Sequence, residues 1–178
     1  MELSFGPKYD AFREEVRAFI DENKHLAPPG GEEVTDATRA WQRLLIEKGY
    51  AARTIPKKYG GGGYPDDIIE SRIMAEEFAR AQISGGMGGQ GISFLVPVLL
   101  DRGTEALRER FIPPAITGDH VWCQGFSEPN AGSDLASLKT RAELDGDEWV
   151  INGQKIWTSN AKHSDCMFCL VRTEPDAP

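Results

Sequence analysis

The character of the chain changes around one stretch, residues 123–134, which reads Cys123-Gln124-Gly125-Phe126-Ser127-Glu128-Pro129-Asn130-Ala131-Gly132-Ser133-Asp134. The residues from Val121 onward predict a strand that ends at Phe126, and the small polar residues after it predict a loop. Small side chains let backbone amides approach a ligand closely, and successive N–H groups can bind an anion. The hydroxyls of Ser127 and Ser133 can donate to carbonyl or phosphate oxygens. The loop is therefore a candidate ligand site, although an ordinary strand-to-turn connection shares these features.

Upstream of this stretch the sequence predicts helices. Between Tyr9 and Ile20, apolar residues recur at spacings of three and four, which is typical of an amphipathic helix. Further helices are predicted to begin at Thr35 or Asp36, at Pro65-Asp66, near Pro97 and at Thr104, the last of them closing at Pro113-Pro114. Because they are charged, Glu76 and Glu77 are expected on the outer face of the third helix.

Downstream of His120 the residues favour strands. The predicted strands cover residues 121–126, 148–152, 155–159 and 166–172. Asp145-Gly146-Asp147 predicts a hairpin turn, and Asn152-Gly153 is a second such signal. The predicted fold class is therefore α+β and multidomain, with an all-α N-terminal domain over residues 1–118 and an incomplete antiparallel β-domain over residues 119–178. A β-domain with this few strands has open edges and an uncovered face. We therefore expect the chain to be part of a longer protein.

Composition and charge exclude several classes of function. The 178 residues include 20 Lys+Arg against 28 Asp+Glu, a formal net charge of −8. This balance argues against nucleic acid or an anionic membrane surface as the main partner. The most apolar run, from Ile92 to Leu100, is too short to span a bilayer, and the N-terminus lacks the pattern of a secretory signal. Three cysteines are few for a disulfide framework, so a reducing, cytoplasmic setting is expected.

Two other motifs only superficially resemble known sites. Cys166-Met167-Phe168-Cys169 lies in an apolar run that predicts a buried strand, where positions three apart point to opposite faces. A redox pair requires a helix N-terminus and a zinc site a second ligand pair, so neither is predicted. The glycines of residues 60–63 and 86–91 lack the context of phosphate-binding loops, and turns are predicted there.

A second candidate segment follows the glycine of Asn152-Gly153. Trp157 offers a flat apolar face for stacking on an aromatic cofactor, and Thr158 and Ser159 can hydrogen-bond the cofactor's polar edge. A tryptophan in the core of a β-layer is the alternative. Glu128 is a conceivable base, but Pro129 beside it favours a role in stabilising the turn.

Taken in order, these segments resemble the acyl-CoA dehydrogenase family. Residues 123–134 are similar to the family's signature, and residues 146–160 are similar to its second flavin-contacting segment. Ile55-Pro56 through Gly62 resembles the family's Pro-x-x-Tyr-Gly-Gly loop. Gly103-Thr104 through Pro113 resembles its Gly-Thr-Glu…Arg-Phe-x-Pro helix. The resemblance therefore extends across nearly the whole chain.

The resemblance implies a flavoenzyme with an N-terminal helical domain, a middle β-domain and a C-terminal helical bundle, of which this chain would hold the first and the beginning of the second. It implies FAD as cofactor. The implied cofactor-binding residues are Gln124, Phe126, Ser127, Gly132, Ser133, Trp157, Thr158 and Ser159. Ser133 would also lie near the substrate's pantetheine arm. Ser127 and Ser159 stand where many members have threonine, and each keeps the hydroxyl.

The implied reaction is α,β-dehydrogenation of an acyl-CoA thioester, as in fatty acid β-oxidation, with electrons passed to an electron-transfer flavoprotein. The family's catalytic glutamate would lie beyond residue 178, so no catalytic residue is assigned here, and the isolated chain is expected to be inactive. A homo- or hetero-oligomer, dimer or tetramer, is also implied. The alternatives are a non-catalytic partner subunit or fragment of the same fold, and an acyl-CoA oxidase or flavin monooxygenase relative.

Overall fold

Two compact units make up the chain, one ending at Asp119 and the other beginning at His120. The computed structural model describes residues 5–30 and 33–174. Within these residues no helix is long and apolar enough to cross a membrane. The family-level expectation of a helical region followed by a small β region is confirmed.

In the part of the first unit that the structure describes, there are five α-helices. They are α1 (Pro7–Asn23), α2 (Asp36–Glu47), α3 (Ile68–Arg80), α4 (Val96–Arg102) and α5 (Glu105–Thr117). Side-chain oxygens cap three of them: Thr35 accepts from Thr38 N–H before α2, Asp67 from two N–H groups of α3, and Thr104 from Leu107 N–H in α5. These caps satisfy amides that a helix start leaves without an intrahelical partner.

The helices pack around an apolar core. The buried core residues come from α1, α2 and α3, together with Tyr50 after α2. They are Val16, Phe19, Ile20, Trp41, Leu45, Tyr50, Ile73 and Phe78. The rings of Phe19 and Tyr50 lie 4.7 Å apart between centroids. Burial of each large apolar side chain contributes about 1.5–3 kcal/mol, so this cluster is the main source of stability for the packing of α1 against α3.

The expected exposure of Glu77 is wrong. Its side chain is only 2% exposed, and it accepts hydrogen bonds from Arg13 and Arg17 of α1 and from Arg80 of α3. Glu77 is one helical turn from the buried Ile73, so it lies on the inner stripe of α3. Burial of a carboxylate is tolerated here because three guanidinium groups surround it.

The expectation that Pro113-Pro114 closes the last helix is also wrong, because α5 continues to Thr117. The two prolines remove N–H groups that would bond to the carbonyls of Glu109 and Arg110, and both of those residues are exposed to water. Before α4, a short π-helical turn over Gly91–Leu95 leads into the helix, whose first turn contains Pro97.

Between residues 120 and 174, the second unit contains four short strands: β1 (Trp122–Gly125), β2 (Arg141–Asp145), β3 (Glu148–Asn152) and β4 (Cys166–Cys169). The predicted hairpin at Asp145-Gly146-Asp147 is present, since β2 and β3 pair in antiparallel fashion with Asp145 opposite Glu148. β1 pairs with β4 in parallel, so the antiparallel description applies to only one of the two pairs.

The expected strand over residues 155–159 is absent, and Asn152-Gly153 does not form a hairpin turn. After β3 the chain leaves the ladder. Trp157 and Asn160 adopt left-handed backbone conformations, with φ of 56° and 62°, which a continuous strand does not contain. Instead of pairing with a strand, this segment bonds to the loop that follows β1.

Candidate functional site

The parallel pair β1–β4 positions the first predicted site residues. Gln124 lies opposite Phe168 in the register. The rings of Phe126 and Phe168 meet edge to face, with centroids 5.5 Å apart. Because alternate residues of a strand share a face, Gln124 and Phe126 lie on one side of the pair with Phe168 beside them. Phe168 was missed at the sequence level, since only the strand register brings it here.

A tight turn follows β1. Glu128 N–H donates to the Ala131 carbonyl at 2.8 Å, and Ala131 N–H donates to the Glu128 carbonyl at 3.1 Å. Glu128 and Ala131 are buried, whereas Gly132 and Ser133 are exposed, and a Cβ placed at Gly132 would meet open space. The backbone at Gly132 and the hydroxyl of Ser133 are therefore accessible to a ligand.

The carboxylate of Glu128 is used entirely within the protein. It accepts from the N–H groups of Lys139 (2.6 Å) and Thr140 (2.9 Å) and from the ammonium of Lys155 (2.8 Å). Burial alone would raise the pKa of Glu128, but the Lys155 ammonium and the hydrogen bonds from Thr140 and Lys139 outweigh it and lower this pKa to about 2. Glu128 therefore stabilises the loop, as expected, and is poorly suited to act as a base.

The second predicted segment lies directly against this loop. Ile156 N–H donates to the Ser127 carbonyl at 2.9 Å, and the Lys155 ammonium donates to the Phe126 carbonyl at 3.0 Å. Trp157, the next residue, is 85% exposed. It is thus not a core tryptophan of the β-layer in this structure, and its indole face is open to a ligand.

Of the predicted site residues, the structure brings Gln124, Phe126 and Ser127 together on β1 and its end, and hydrogen bonds join them to the segment that carries Trp157. Thr158 is half-buried, and Ser159 is exposed just after Trp157. Gly132 and Ser133 lie on the far side of the tight turn.

Chemically, this surface offers an exposed aromatic face, hydroxyl donors and accessible backbone amides. An extended ligand with a planar ring and an anionic group fits these donors. Among residues 5–30 and 33–174, no three His, Cys, Asp or Glu side chains are grouped so as to hold a metal ion.

Comparisons with known proteins agree with this architecture. Residues 6–119 match the model of the acyl-CoA dehydrogenase N-terminal domain, and residues 123–178 match that of the acyl-CoA dehydrogenase middle domain. The chain is 41% identical over 174 residues to acyl-CoA dehydrogenase IpdE1 of Mycobacterium tuberculosis, covering 93% of this chain and 45% of that protein. It is 32% identical over 173 residues to mitochondrial isovaleryl-CoA dehydrogenase of Bos taurus, covering 93% and 39%.

Two solved structures show the likeness of fold. The Tcur3481-Tcur3483 steroid ACAD superposes with a TM-score of 0.70 and 34% identity, over 100% of this chain and 46% of that one. The ChsE4-ChsE5 complex from Mycobacterium tuberculosis gives 0.69 and 31%, over 98% and 45%. The chain therefore spans less than half the length of these relatives.

Proposed function

This chain belongs to the acyl-CoA dehydrogenase family, and we propose that it forms the first part of a FAD-dependent enzyme that oxidises the α,β bond of an acyl-CoA thioester. One observation carries the proposal: the hydrogen bond from Ile156 to the Ser127 carbonyl brings the loop after β1 next to an 85% exposed Trp157. An exposed tryptophan beside hydroxyls and free amides suits a flavin ring better than it suits a packed core.

The proposed roles combine the family resemblance with the position of each residue. Gln124 and Phe126 line the ring from the β1 side, and the Ser127 hydroxyl hydrogen-bonds its pyrimidine edge. Trp157 packs on the ring, with Thr158 and Ser159 supplying further donors. The exposed amide of Gly132 and hydroxyl of Ser133 bind the pyrophosphate, and Ser133 also contacts the pantetheine arm of the substrate.

When bound, FAD would supply the acceptor for a hydride from the β-carbon of the substrate. The residues of this chain contribute binding and orientation, and hydroxyl donors hold the ring in place. Glu128 is not assigned as the base, since its carboxylate is held by three donors. The carboxylate that removes the α-proton, and an electron-transfer flavoprotein that receives the electrons, belong to the proposal for the whole protein.

A second candidate function is that of a partner subunit in a heteromeric dehydrogenase. It is favoured by the Tcur3481-Tcur3483 and ChsE4-ChsE5 structures, each of which is named after two proteins. The first of them is named a steroid ACAD, which makes a bulky acyl-CoA a substrate to test. The free cysteines are typical of a reducing compartment, so we place the protein in the cytoplasm.

The test is the visible absorbance spectrum after incubation with FAD and desalting, for residues 1–178 and for the whole protein that contains them. We expect the whole protein, alone or with a partner subunit, to retain a shifted flavin band. Retention by residues 1–178 alone would show that the described segments hold the cofactor unaided. A colourless whole protein, with and without a partner, would contradict the proposal.

A further inference from the structure

A buried ion pair joins the two segments that carry the predicted cofactor-binding residues. The side chains of Lys155 and Glu128 are 8% and 9% exposed, and the ammonium lies 2.8 Å from the carboxylate. Lys155 belongs to the segment after β3, and Glu128 to the loop after β1. Ionised side chains are rarely buried unless they are paired, so this arrangement needs a reason beyond chain connectivity.

The pair draws three stretches of backbone to one point. Glu128 accepts from the N–H groups of Lys139 and Thr140, just before β2. Lys155 donates to the carbonyl of Phe126, at the end of β1, as well as to Glu128. Both oxygens of the carboxylate and at least two donors of the ammonium are therefore used, which is the condition under which a buried pair is well defined in geometry.

Ser127 and Trp157 lie immediately beside this pair. Ser127 is flanked by the two residues that Lys155 binds, Phe126 and Glu128. Its own carbonyl accepts from Ile156, which stands between Lys155 and Trp157. The backbone at Trp157 has a φ of 56°, a conformation that costs energy for a bulky residue and persists only where neighbouring contacts hold it.

A buried pair of this kind often adds little net stability, because desolvation opposes the attraction between the charges. Its hydrogen bonds to the N–H groups of Lys139 and Thr140 and to the carbonyl of Phe126 instead fix where these stretches of backbone meet. We propose that Glu128 and Lys155 are positioning residues that hold Ser127 and Trp157 in their cofactor-binding arrangement before FAD arrives. This inference rests on the proposed function of the chain as part of a flavin site. Such preorganisation lowers the ordering cost of binding and therefore increases affinity.

The test uses the whole protein, with its partner subunit if one is required. Lys155→Met keeps the length of the side chain and removes its charge, and the exposed Lys162→Met is the matched control. We expect Lys155→Met to raise the dissociation constant for FAD about tenfold, which is the lower end of the loss in affinity when a metal ligand loses its supporting partner. Lys162→Met is expected to bind FAD as the wild type does.

Two further measurements separate positioning from general stabilisation. Amide hydrogen exchange of the FAD-free protein is expected to quicken at residues 156–159 in Lys155→Met, while the helices of the first unit keep their protection. The visible band of the FAD that does bind is expected to change shape, since the indole of Trp157 no longer holds its place. Should Lys155→Met fail to fold, Glu128→Gln carries the same expectations, because it removes the charge of the other partner. The substitution preserves the shape of the side chain and one acceptor oxygen.

The outcomes distinguish the two proposals. Wild-type FAD affinity and an unchanged flavin band in both variants, while the wild type binds FAD, would overturn the positioning role and leave the proposed function intact. A wild-type protein that retains no FAD would overturn both. The double variant Lys155→Met with Glu128→Gln is expected to lose no more affinity than the worse single variant, since the two residues act as one unit.

Discussion

Arg13 Nη1 lies 2.6 Å from Oε1 of Glu77, which joins α1 to α3 across 64 residues of sequence. Arg17 and Arg80 donate to the same carboxylate, at 3.0 Å and 2.7 Å. One buried negative charge therefore meets three positive charges whose outer parts reach water. This network, together with the apolar core beneath it, fixes how α1 and α3 pack.

Glu77→Gln is expected to destabilise the helical unit by about 2 kcal/mol. The amide of glutamine has the same shape but no charge, and it turns an NH₂ group towards guanidinium donors. Because the arginines reach water, we expect the loss of stability to be smaller than for a fully buried ion pair. The free energy of unfolding from urea denaturation measures it. Glu14→Gln is the control, because Glu14 pairs with the same Arg17 but is 70% exposed, and we expect a change within about 0.5 kcal/mol.

Stability is expected to fall at acid pH through Glu77. Burial alone would raise the pKa of Glu77, but hydrogen bonds from Arg17, Arg13 and Arg80 lower it from an ordinary 4.5 to about 2. The stabilisation is therefore complete above pH 4.5 and is lost between 4.5 and 2, as the unfolded chain takes up a proton that the folded chain does not. Unfolding free energies across that range should fall less steeply for Glu77→Gln. Parallel curves for the two proteins would contradict the assignment.

Trp157→Ala is expected to weaken FAD binding about three- to tenfold while the free energy of unfolding changes by less than about 0.5 kcal/mol. The side chain is 85% exposed, so its removal leaves no cavity in the folded chain. Trp149→Ala, which removes an exposed tryptophan from β3, is the matched control and should not alter affinity. FAD titration of the whole protein measures both, and equal losses from the two variants would argue against a role for Trp157 in binding.

Gly61→Ala is expected to cost about 1–3 kcal/mol, because a Cβ there would overlap the backbone carbonyl of Ile55. Gly88→Ala in the other glycine-rich loop meets open space, and it should be neutral or stabilising by up to about 1 kcal/mol. Thermal or urea unfolding of both variants tests the contrast. Similar destabilisation by the two substitutions would mean that the close approach of residues 55 and 61 is not what requires glycine.

Local patterns predicted most of the fold. The period of α1, the helix starts at Thr35 or Asp36 and at Thr104, and the Asp145-Gly146-Asp147 turn are short-range features, and each is present. The charge of Glu77 predicts an exposed position, whereas its spacing of four from Ile73 predicts the buried one that the structure shows. Arg13 and Arg17, themselves four apart on α1, were a signal that a buried carboxylate faced them.

The site was less predictable, because its geometry depends on contacts between distant residues. The family resemblance implies roles for Ser127 and Trp157. The composition of residues 155–159 predicts a strand, however, and the structure has none there. This segment is held by hydrogen bonds from Lys155 and Ile156 to the loop after β1, and no local propensity encodes such bonds. The placement of Phe168 beside Phe126 likewise depends on a parallel register that sequence spacing does not reveal.

The parallel pairing of β1 with β4 also sets an order of events during synthesis. The β2–β3 hairpin can close as soon as it leaves the ribosome, whereas Val121 binds Asp165, 44 residues later. At the usual pace of translation that interval lasts a few seconds, during which the edge of β1 has no β4 to pair with. A nascent chain stalled before Asp165 would therefore expose the Trp122–Gly125 backbone to chaperones or to aggregation. The backbone of β1 can be paired only once Cys166–Cys169 has emerged.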